Sequence, residues 1–495
     1  MNDPTHWANR LARLQDANLV QGLPYFVVLL FTTLYVSTLA TFPIPGDPLE
    51  FVAASHSLGV AHPSGYPLYI LLGKIWQLLL FFVDPVIVMG LASLVYWIAA
   101  LVLIISILRE LEVHPIWSSC VVLALGSIPD LWRYTAYPEV YTLHALMAAL
   151  LCWSLVRFHQ RPSESRLWTC GLVAGLSLGN HMTAVLLFPG LGLWMLLNLR
   201  TLPAEASKIR ALLGFALIWG ISSLIPLSIY FLDRPDALNY IDQFHNEYPD
   251  LALDTSWQRI WWMISAQQYG ATLSFGDLFN AQYLANVVEI IKRVSLQQPF
   301  LSACSGFALL ALPLAKRPRL PASLKLFLVL SIGLQCLYFA TYLWAFEAAF
   351  FAQSYVMLGI ILGVGLQYLL KEGAPAAVWL GGILMYHAFL VSSIYSEVKP
   401  VNSGYPLELV EEFSQLPADA VVFSTWDKST IFWYAQWVRD INPNILIFNA
   451  LPPNWEVGIK RYADRPHYFE SLPPELPAQQ FERRGAFFQR RPDRP

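Results

Sequence analysis

Charge is scarce in this chain. Asp, Glu, Lys and Arg make up 13% of its 495 residues, against about 25% in ordinary soluble globular proteins. The deficit excludes a fold solvated by water alone and points to lipid as part of the solvent. Nor is there a basic excess. The formal net charge is −3, which gives a nucleic-acid partner no electrostatic footing. Cysteine is sparse as well. Cys120, Cys152, Cys170, Cys304 and Cys336 each lie inside an apolar segment. Their spacing fits neither a zinc site nor a disulfide framework, and they read as small buried hydrophobes. A cleavable leader is not expected: Met1 to Gly22 is polar and carries Arg10 and Arg13, too long and too polar for such an n-region.

What is abundant is apolar and aromatic. Hydrophobic residues make up 56% of the chain, with 18 Trp and 23 Tyr, the ring types favoured at membrane interfaces. A crossing helix needs about 20 mostly apolar residues. Such runs fall near 24–42, 85–108, 115–131, 138–158, 167–180, 183–199, 209–231, 299–315, 322–345, 350–370 and 376–395. The two short runs around Gly179-Asn180-His181 read as a tight helical hairpin. One further stretch, Tyr66 to Val83, is apolar but contains Lys74 and Gln77.

Positive charge sets the orientation, because cytoplasmic loops concentrate Lys and Arg. With 66–83 lying along the outer surface, the inner loops hold Arg10 and Arg13, Arg109, Arg157 with Arg161 and Arg166, Arg200 with Lys208 and Arg210, Lys316 with Arg317 and Arg319, and Lys371. If 66–83 crossed, every later cluster would face outward. The expectation is therefore about eleven spans, with the N-terminus cytoplasmic and the C-terminus outside. Residues 1–23 form a cytoplasmic segment. Residues 24–396 form an all-α multi-pass membrane domain, with a first outer loop at 43–84 and a long outer loop at Asp233–Pro299. Residues 397–495 form a small soluble domain, since Ala420–Ser424, Thr430–Arg439 and Ile445–Phe448 read as strand, helix and strand. The last residues, rich in Pro, Gln and Arg, read as a loose end.

The densest polar pattern opens where the first span ends. It runs Gly46-Asp47-Pro48-Leu49-Glu50-Phe51, passes His56, and continues through Gly59-Val60-Ala61-His62-Pro63-Ser64-Gly65-Tyr66-Pro67-Leu68-Tyr69. Asp47 and Glu50 are spaced to share one helical face. The same residues also read as a helix start, with Asp47 as N-cap, an early Pro48, Glu50 in the first turn and Gly59 closing the far end. The two roles are compatible, since a cap is also a rigidly held carboxylate. Three more polar groups reach the same face: Asp130, Arg133, Tyr134, Tyr137, Glu139 and Tyr141; Asn180 with His181; and Glu347 near Gln353 and Tyr355. Glu139 opens a helix, where the dipole favours an acid. His144, one and a half turns deeper, reads first as a satisfied core histidine, although ionisable groups at membrane depth usually face a cavity or a partner.

Transfer from a lipid-linked sugar phosphate would use such a set. The leaving phosphate is a stable anion and needs no proton. The acceptor hydroxyl must lose one, so a single carboxylate base suffices for an inverting transfer. Donors or cations must hold the phosphate, for which Arg133, Lys74, His62 and His181 are candidates. The chemistry requires no cofactor. A divalent metal between Asp47 and another acid is compatible with it, and no residue pattern demands one.

At these residues the chain resembles a family of polytopic membrane proteins that includes an animal protein O-mannosyltransferase acting on immunoglobulin-like domains. The stretch from Gly46 to Tyr69 is similar to the family's first motif. Ala136-Tyr137-Pro138-Glu139-Val140-Tyr141 is similar to its second, and Gly175 to Thr183 to its third. Phe423-Ser424-Thr425-Trp426-Asp427 and Arg465-Pro466 also fit. The resemblance implies a GT-C-like glycosyltransferase fold, with surface helices after the first outer loop and a polyprenyl-phosphate sugar as donor. The acceptor would be a protein, lipid or glycan hydroxyl. It further implies Asp47 as base, Glu50 beside it, and His62, Tyr66, Glu139, Asn180 and His181 lining the site. Pro48-Leu49 and Ser64 depart from the family's usual Ser-Gly and Pro. The sparse cysteines lean toward a bacterial inner membrane.

Two other classes compete. A transporter or flippase of lipid-linked sugars would place polar residues at the bilayer midplane on repeated, broken helices. No internal repeat is visible and the polar groups gather at one face. An assembly factor would use its soluble tail to bind a partner. Loss of turnover on changing Asp47 separates the enzyme from both.

Overall fold

The computed structural model describes residues 18–203, 207–272, 280–311, 320–341, 347–369, 376–474 and 476–491. The basic residues Arg10, Arg13, Lys316, Arg317, Arg319 and Lys371 lie outside them. Among the described residues seven helices are long and apolar enough to cross a bilayer: Val20–Ser37, Pro85–Glu110, Val140–Gln160, Met182–Thr201, Lys208–Leu232, Ala322–Phe339 and Ala348–Tyr368. The protein is an integral membrane protein. Leu213, Leu217 and Ile221 are more than 60% exposed along Lys208–Leu232, as a lipid-facing stripe requires.

Reading composition alone gives more spans than helix length does, and the differences have local causes. The expected span 115–131 is two helices, Pro115–Gly126 and Pro129–Ala136, bent by 70°. Pro129 disfavours helical backbone at the residue before it, and Ile128 is extended with φ −75° and ψ 116°. The expected span 167–180 is the 14-residue helix Glu164–Ser177, too short to cross alone. It lies against Lys208–Ser222, where a Cβ on Gly175 would sit 2.0 Å from Ser222 Oγ. Small residues permit that approach. Helix Pro67–Leu79, in the stretch read as a surface helix, has 13 residues. At 1.5 Å per residue it reaches about 20 Å, short of a crossing.

Aromatic donors tie the spans together. Trp97 Nε1 donates to Tyr35 Oη at 3.1 Å, and Tyr35 donates to Gly126 O at 2.7 Å. Trp132 Nε1 donates to Thr38 Oγ1 at 3.0 Å. Each satisfies a buried polar tip that lipid could not.

The C-terminal region folds around a five-stranded sheet in the order β2-β1-β3-β5-β4. Strands β1 (Val421–Ser424), β2 (Leu446–Asn449) and β3 (His467–Phe469) are parallel. Strands β4 (Phe481–Arg484) and β5 (Phe487–Arg490) form an antiparallel hairpin. The residues read as a loose end thus complete the sheet. Their turn uses Gly485 at φ +59°, and Phe487 is buried against Phe432. The helix after β1 is Trp426–Trp437, starting four residues before the expected Thr430. It packs against Asp47–Ser57, which lies between the first two spanning helices. A second seam joins the sheet unit to the segment that follows Lys208–Leu232, where Asn454 Nδ2 donates to Glu247 Oε1 at 2.5 Å and Tyr462 Oη to Asn246 Oδ1 at 3.2 Å.

Candidate active site

Helix Asp47–Ser57 begins one residue earlier than a capping role for Asp47 requires. Gly46 is the N-cap, with φ 90° and ψ −153°, so Asp47 is the first helical residue and is released from capping. The far end is closed by Leu58 in the left-handed region, followed by Gly59 N–H donating to Ala54 O at 2.8 Å. Gly59 serves instead as a point of close approach. A Cβ there would meet Leu238 O at 2.0 Å, beside a bridge in which Val60 N–H donates to Leu238 O and Tyr240 N–H to Val60 O.

The helix delivers two unlike carboxylates. Glu50 is fully buried and Asp47 is 39% exposed. Glu50 Oε1 accepts from His62 N at 2.8 Å, and Oε2 lies 2.5 Å from His62 Nδ1. On its other nitrogen His62 is 3.0 Å from Tyr66 Oη and 3.8 Å from Asp47 Oδ2. Burial disfavours an imidazolium here, but the Glu50 and Asp47 carboxylates outweigh it and push His62 up to about 9. The hydrogen bonds suit the charged ring: Nδ1–H donates to Glu50, Nε2–H to Tyr66, and Tyr66 Oη–H to Pro63 O at 3.2 Å. Asp47 Oδ1 accepts from Trp426 Nε1 at 2.9 Å.

A histidine chain continues inward. Tyr66 and His181 meet at a tilt of 55° with ring centres 5.7 Å apart, and His181 and His144 at 37° and 4.9 Å. His181 Nδ1 receives the Thr183 N–H at 3.3 Å and lies 2.8 Å from Thr183 Oγ1. A backbone N–H can only donate, so Nδ1 carries the lone pair and Nε2 the proton. Burial, reinforced by the charge on His62, lowers His181 to about 4 and keeps it neutral. Thr183 Oγ1 is also 3.3 Å from His144 Nε2, and His144 Nδ1 is 3.5 Å from Gln353 Nε2. His144 therefore joins the chain that orients His181 rather than merely filling the core.

Glu139 is buried at the start of helix Val140–Gln160. Its Oε2 accepts from Val140 N at 3.2 Å and its own N–H donates to Ser93 Oγ at 3.1 Å. Burial, with Asp47 and Glu347 nearby, raises Glu139 well above the usual carboxylate range. Asn180 Nδ2 donates to the adjoining Val140 O at 3.2 Å. Glu347 accepts from Tyr134 Oη, and Tyr134 meets Tyr137 and Tyr141 edge to face or tilted. Tyr141 in turn meets His181 at a tilt, ring centres 6.1 Å apart.

Three expected residues stand apart. His56 Nδ1 pairs with Gln77 Oε1 at 3.0 Å and lines a cleft with Gln436, Trp437 and Asp440. Lys74 Nζ donates to His56 O at 2.5 Å. A residue nine positions beyond Asp47 falls on the opposite side of a 3.6-residue helix, which takes His56 and its partner Lys74 away from the carboxylates. Arg133 stands at the edge of the cluster, bridged to Asp130 at 3.4 Å and Glu397 at 3.2 Å. Its charge is already shared before any phosphate arrives. Two residues outside the expected set enter the site. Trp426 and Tyr240 each present a ring to His62, at 5.8 and 6.3 Å. No spacing rule links Asp47 to a tryptophan 379 residues on.

The helix bundle, with an acidic segment between its first two spanning helices and a small α/β unit packed against that segment, has the GT-C fold. The solved structure of ArnT from Cupriavidus metallidurans bound to undecaprenyl phosphate superposes with a TM-score of 0.58 over 94% of this chain and 97% of that one, at 10% identity. Residues 47–204 match the family model described as the protein O-mannosyl-transferase TMEM260 N-terminal domain. The chain is 24% identical to the protein O-mannosyl-transferase TMEM260 of Mus musculus, over 84% of this chain and 61% of the relative. It is 28% identical to the Dictyostelium discoideum protein of the same description, over 34% of this chain and 23% of that one. The chain thus spans less than two thirds of the length of these relatives.

Proposed function

We propose that this protein is a membrane-embedded inverting glycosyltransferase that moves a sugar from a polyprenyl-phosphate donor to an acceptor hydroxyl on the extracytoplasmic side. The relatives' description favours mannose as the sugar and a protein hydroxyl as acceptor. One observation carries the reading: a half-exposed carboxylate, Asp47, stands in front of a buried Glu50–His62–Tyr66 array at the outer end of an apolar helix bundle.

In this reading Asp47 accepts the proton of the acceptor hydroxyl as that oxygen attacks the anomeric carbon. The bond from that carbon to the phosphate oxygen breaks on the opposite face, and polyprenyl phosphate leaves with the electron pair. Configuration inverts. The His62 imidazolium keeps a positive charge 3.8 Å from Asp47 Oδ2. His181, with its proton on Nε2, donates to the phosphate. Glu139, held neutral, and the Tyr134–Glu347 pair line the sugar side. Basic inner loops orient the N-terminus to the cytoplasm, with residues 397–495 outside. Cysteine usage favours a bacterial inner membrane.

The test incubates purified protein with a panel of radiolabelled polyprenyl-phosphate sugars, wild type beside Asp47→Asn, and measures release of sugar by transfer or slow hydrolysis. Turnover that vanishes in the variant is expected, by at least about a thousandfold for removal of an essential base. Binding or translocation of these lipids without turnover would replace the enzyme with a transporter.

A further inference from the structure

We infer that the C-terminal α/β unit is a working part of the active site, with Trp426 as a positioning residue that orients the Asp47 carboxylate and Thr430 as the support of the turn before it. The inference rests on the reading of Asp47 as the base.

Trp426 is where three remote stretches meet. Its indole presents edges to His62 of the first outer loop at 5.8 Å and 89°, to Tyr240 of the long outer loop at 5.7 Å and 74°, and to Trp433 of its own helix at 5.6 Å and 78°. Contacts on three sides fix the ring, and the fixed ring aims one N–H at Asp47 Oδ1, 2.9 Å away. Indole nitrogen donates and never accepts. It therefore takes up a lone pair on Oδ1 and leaves Oδ2, on the His62 side, as the oxygen that receives the proton. A first-turn aspartate that is 39% exposed would otherwise sample several rotamers, and a base outside the attack geometry is lost to turnover.

A second contact holds the backbone in front of Asp47. Gly46 N–H donates to Thr430 Oγ1 at 2.9 Å, and the Thr430 hydroxyl donates to Asp427 O at 2.8 Å. The single hydroxyl proton is committed to Asp427, so the oxygen is free to accept from Gly46. The left-handed φ of Gly46 strains any side chain there, and a Cβ would face Asp427 Oδ1 at 3.5 Å. Both contacts come from helix Trp426–Trp437, so an unmoored α/β unit would release the base and its turn together.

The experiment compares wild type with Trp426→Phe, Thr430→Val, Thr430→Ser and Asp47→Asn in one lipid-donor assay, with thermal melting of each in the same detergent. Trp426→Phe keeps a ring and removes the N–H. The lost bond is one to a charged group, so kcat should fall at least about tenfold, with the donor KM within about twofold. Thr430→Val should lower kcat in the same way, and Thr430→Ser, which keeps the hydroxyl, should restore it. If Trp426→Phe melts early, the Thr430 pair decides. Wild-type kcat in Trp426→Phe and Thr430→Val, or a rise in KM alone, beside an inactive Asp47→Asn, would overturn the positioning role and leave the base reading intact. A wild type that transfers nothing from any lipid-phosphate sugar would overturn both.

Discussion

The Nδ1 atom of His62 lies 2.5 Å from Oε2 of Glu50, a carboxylate with no solvent exposure. Such a pair is stable only while both members remain, because removing one leaves an uncompensated buried group. Glu50→Ala should therefore destabilise the protein by about 3 kcal/mol. Glu50→Gln should fold better but lose turnover, because its buried imidazole is no longer held charged. A melting curve and a single-turnover assay on both variants check this. Equal activity in Glu50→Gln and wild type would remove the imidazolium from the mechanism.

The same pair sets a pH window. His62 is raised in the folded state to about 9 from an unfolded value near 6.5. Its contribution to stability is complete below about pH 6.5 and is lost as pH rises through about 9. Turnover that needs the charged ring should fall on the same alkaline limb. In Glu50→Gln that limb should move to lower pH. A limb that stays in place in the variant would assign it to another group.

Glu139 gives the same sign in a window that opens at lower pH. Burial raises its folded-state ionisation well above 4.5, so the native state suppresses a charge that the unfolded chain acquires. Stability is lost from about pH 4.5 upward. Glu139→Gln retains an oxygen for Val140 N–H and removes that penalty. Its melting temperature should exceed the wild-type value at pH 8 and match it at pH 4.5. Lower stability in the variant at pH 8 would mean that Glu139 is ionised in the native protein.

The hydroxyl of Thr183 links two histidine rings, 2.8 Å from His181 Nδ1 and 3.3 Å from His144 Nε2. Thr183→Val keeps the backbone N–H to Nδ1 but removes the hydroxyl contact, so the loosened ring should raise the donor KM by up to about tenfold, the worth of one hydrogen bond to a charged phosphate, with kcat nearly unchanged. Thr183→Ser should behave as wild type. An unchanged KM in Thr183→Val would separate His181 from donor binding.

Gly59 approaches Leu238 O so closely that a methyl group cannot fit. Gly59→Ala must shift one loop off the other. Overpacking against fixed backbone costs about 1–3 kcal/mol or more. Reduced melting temperature and faster proteolysis near residues 233–250 are the expected readouts. Normal stability would show that the two loops separate freely.

Some of this was legible in one dimension. Scarce charge and apolar runs determine a membrane protein, because lipid selects composition and length without regard to partners. The motif from Gly46 to Tyr69 determines the local site, because Asp47, Glu50, His62 and Tyr66 meet across 20 residues through one short helix and one turn. A hairpin of charged residues at 481–490 escaped notice because its pattern alternates only weakly and its partner, β3, lies outside it. What tertiary structure alone decided is which polar groups face one another. Helical rotation sends His56 and Lys74 away from the carboxylates, and ion pairs with Asp130 and Glu397 draw on Arg133. Docking brings Trp426 to Asp47 across 379 residues. Sequence carries local geometry through fixed backbone periods. It carries no such rule for two surfaces that meet only after both have folded.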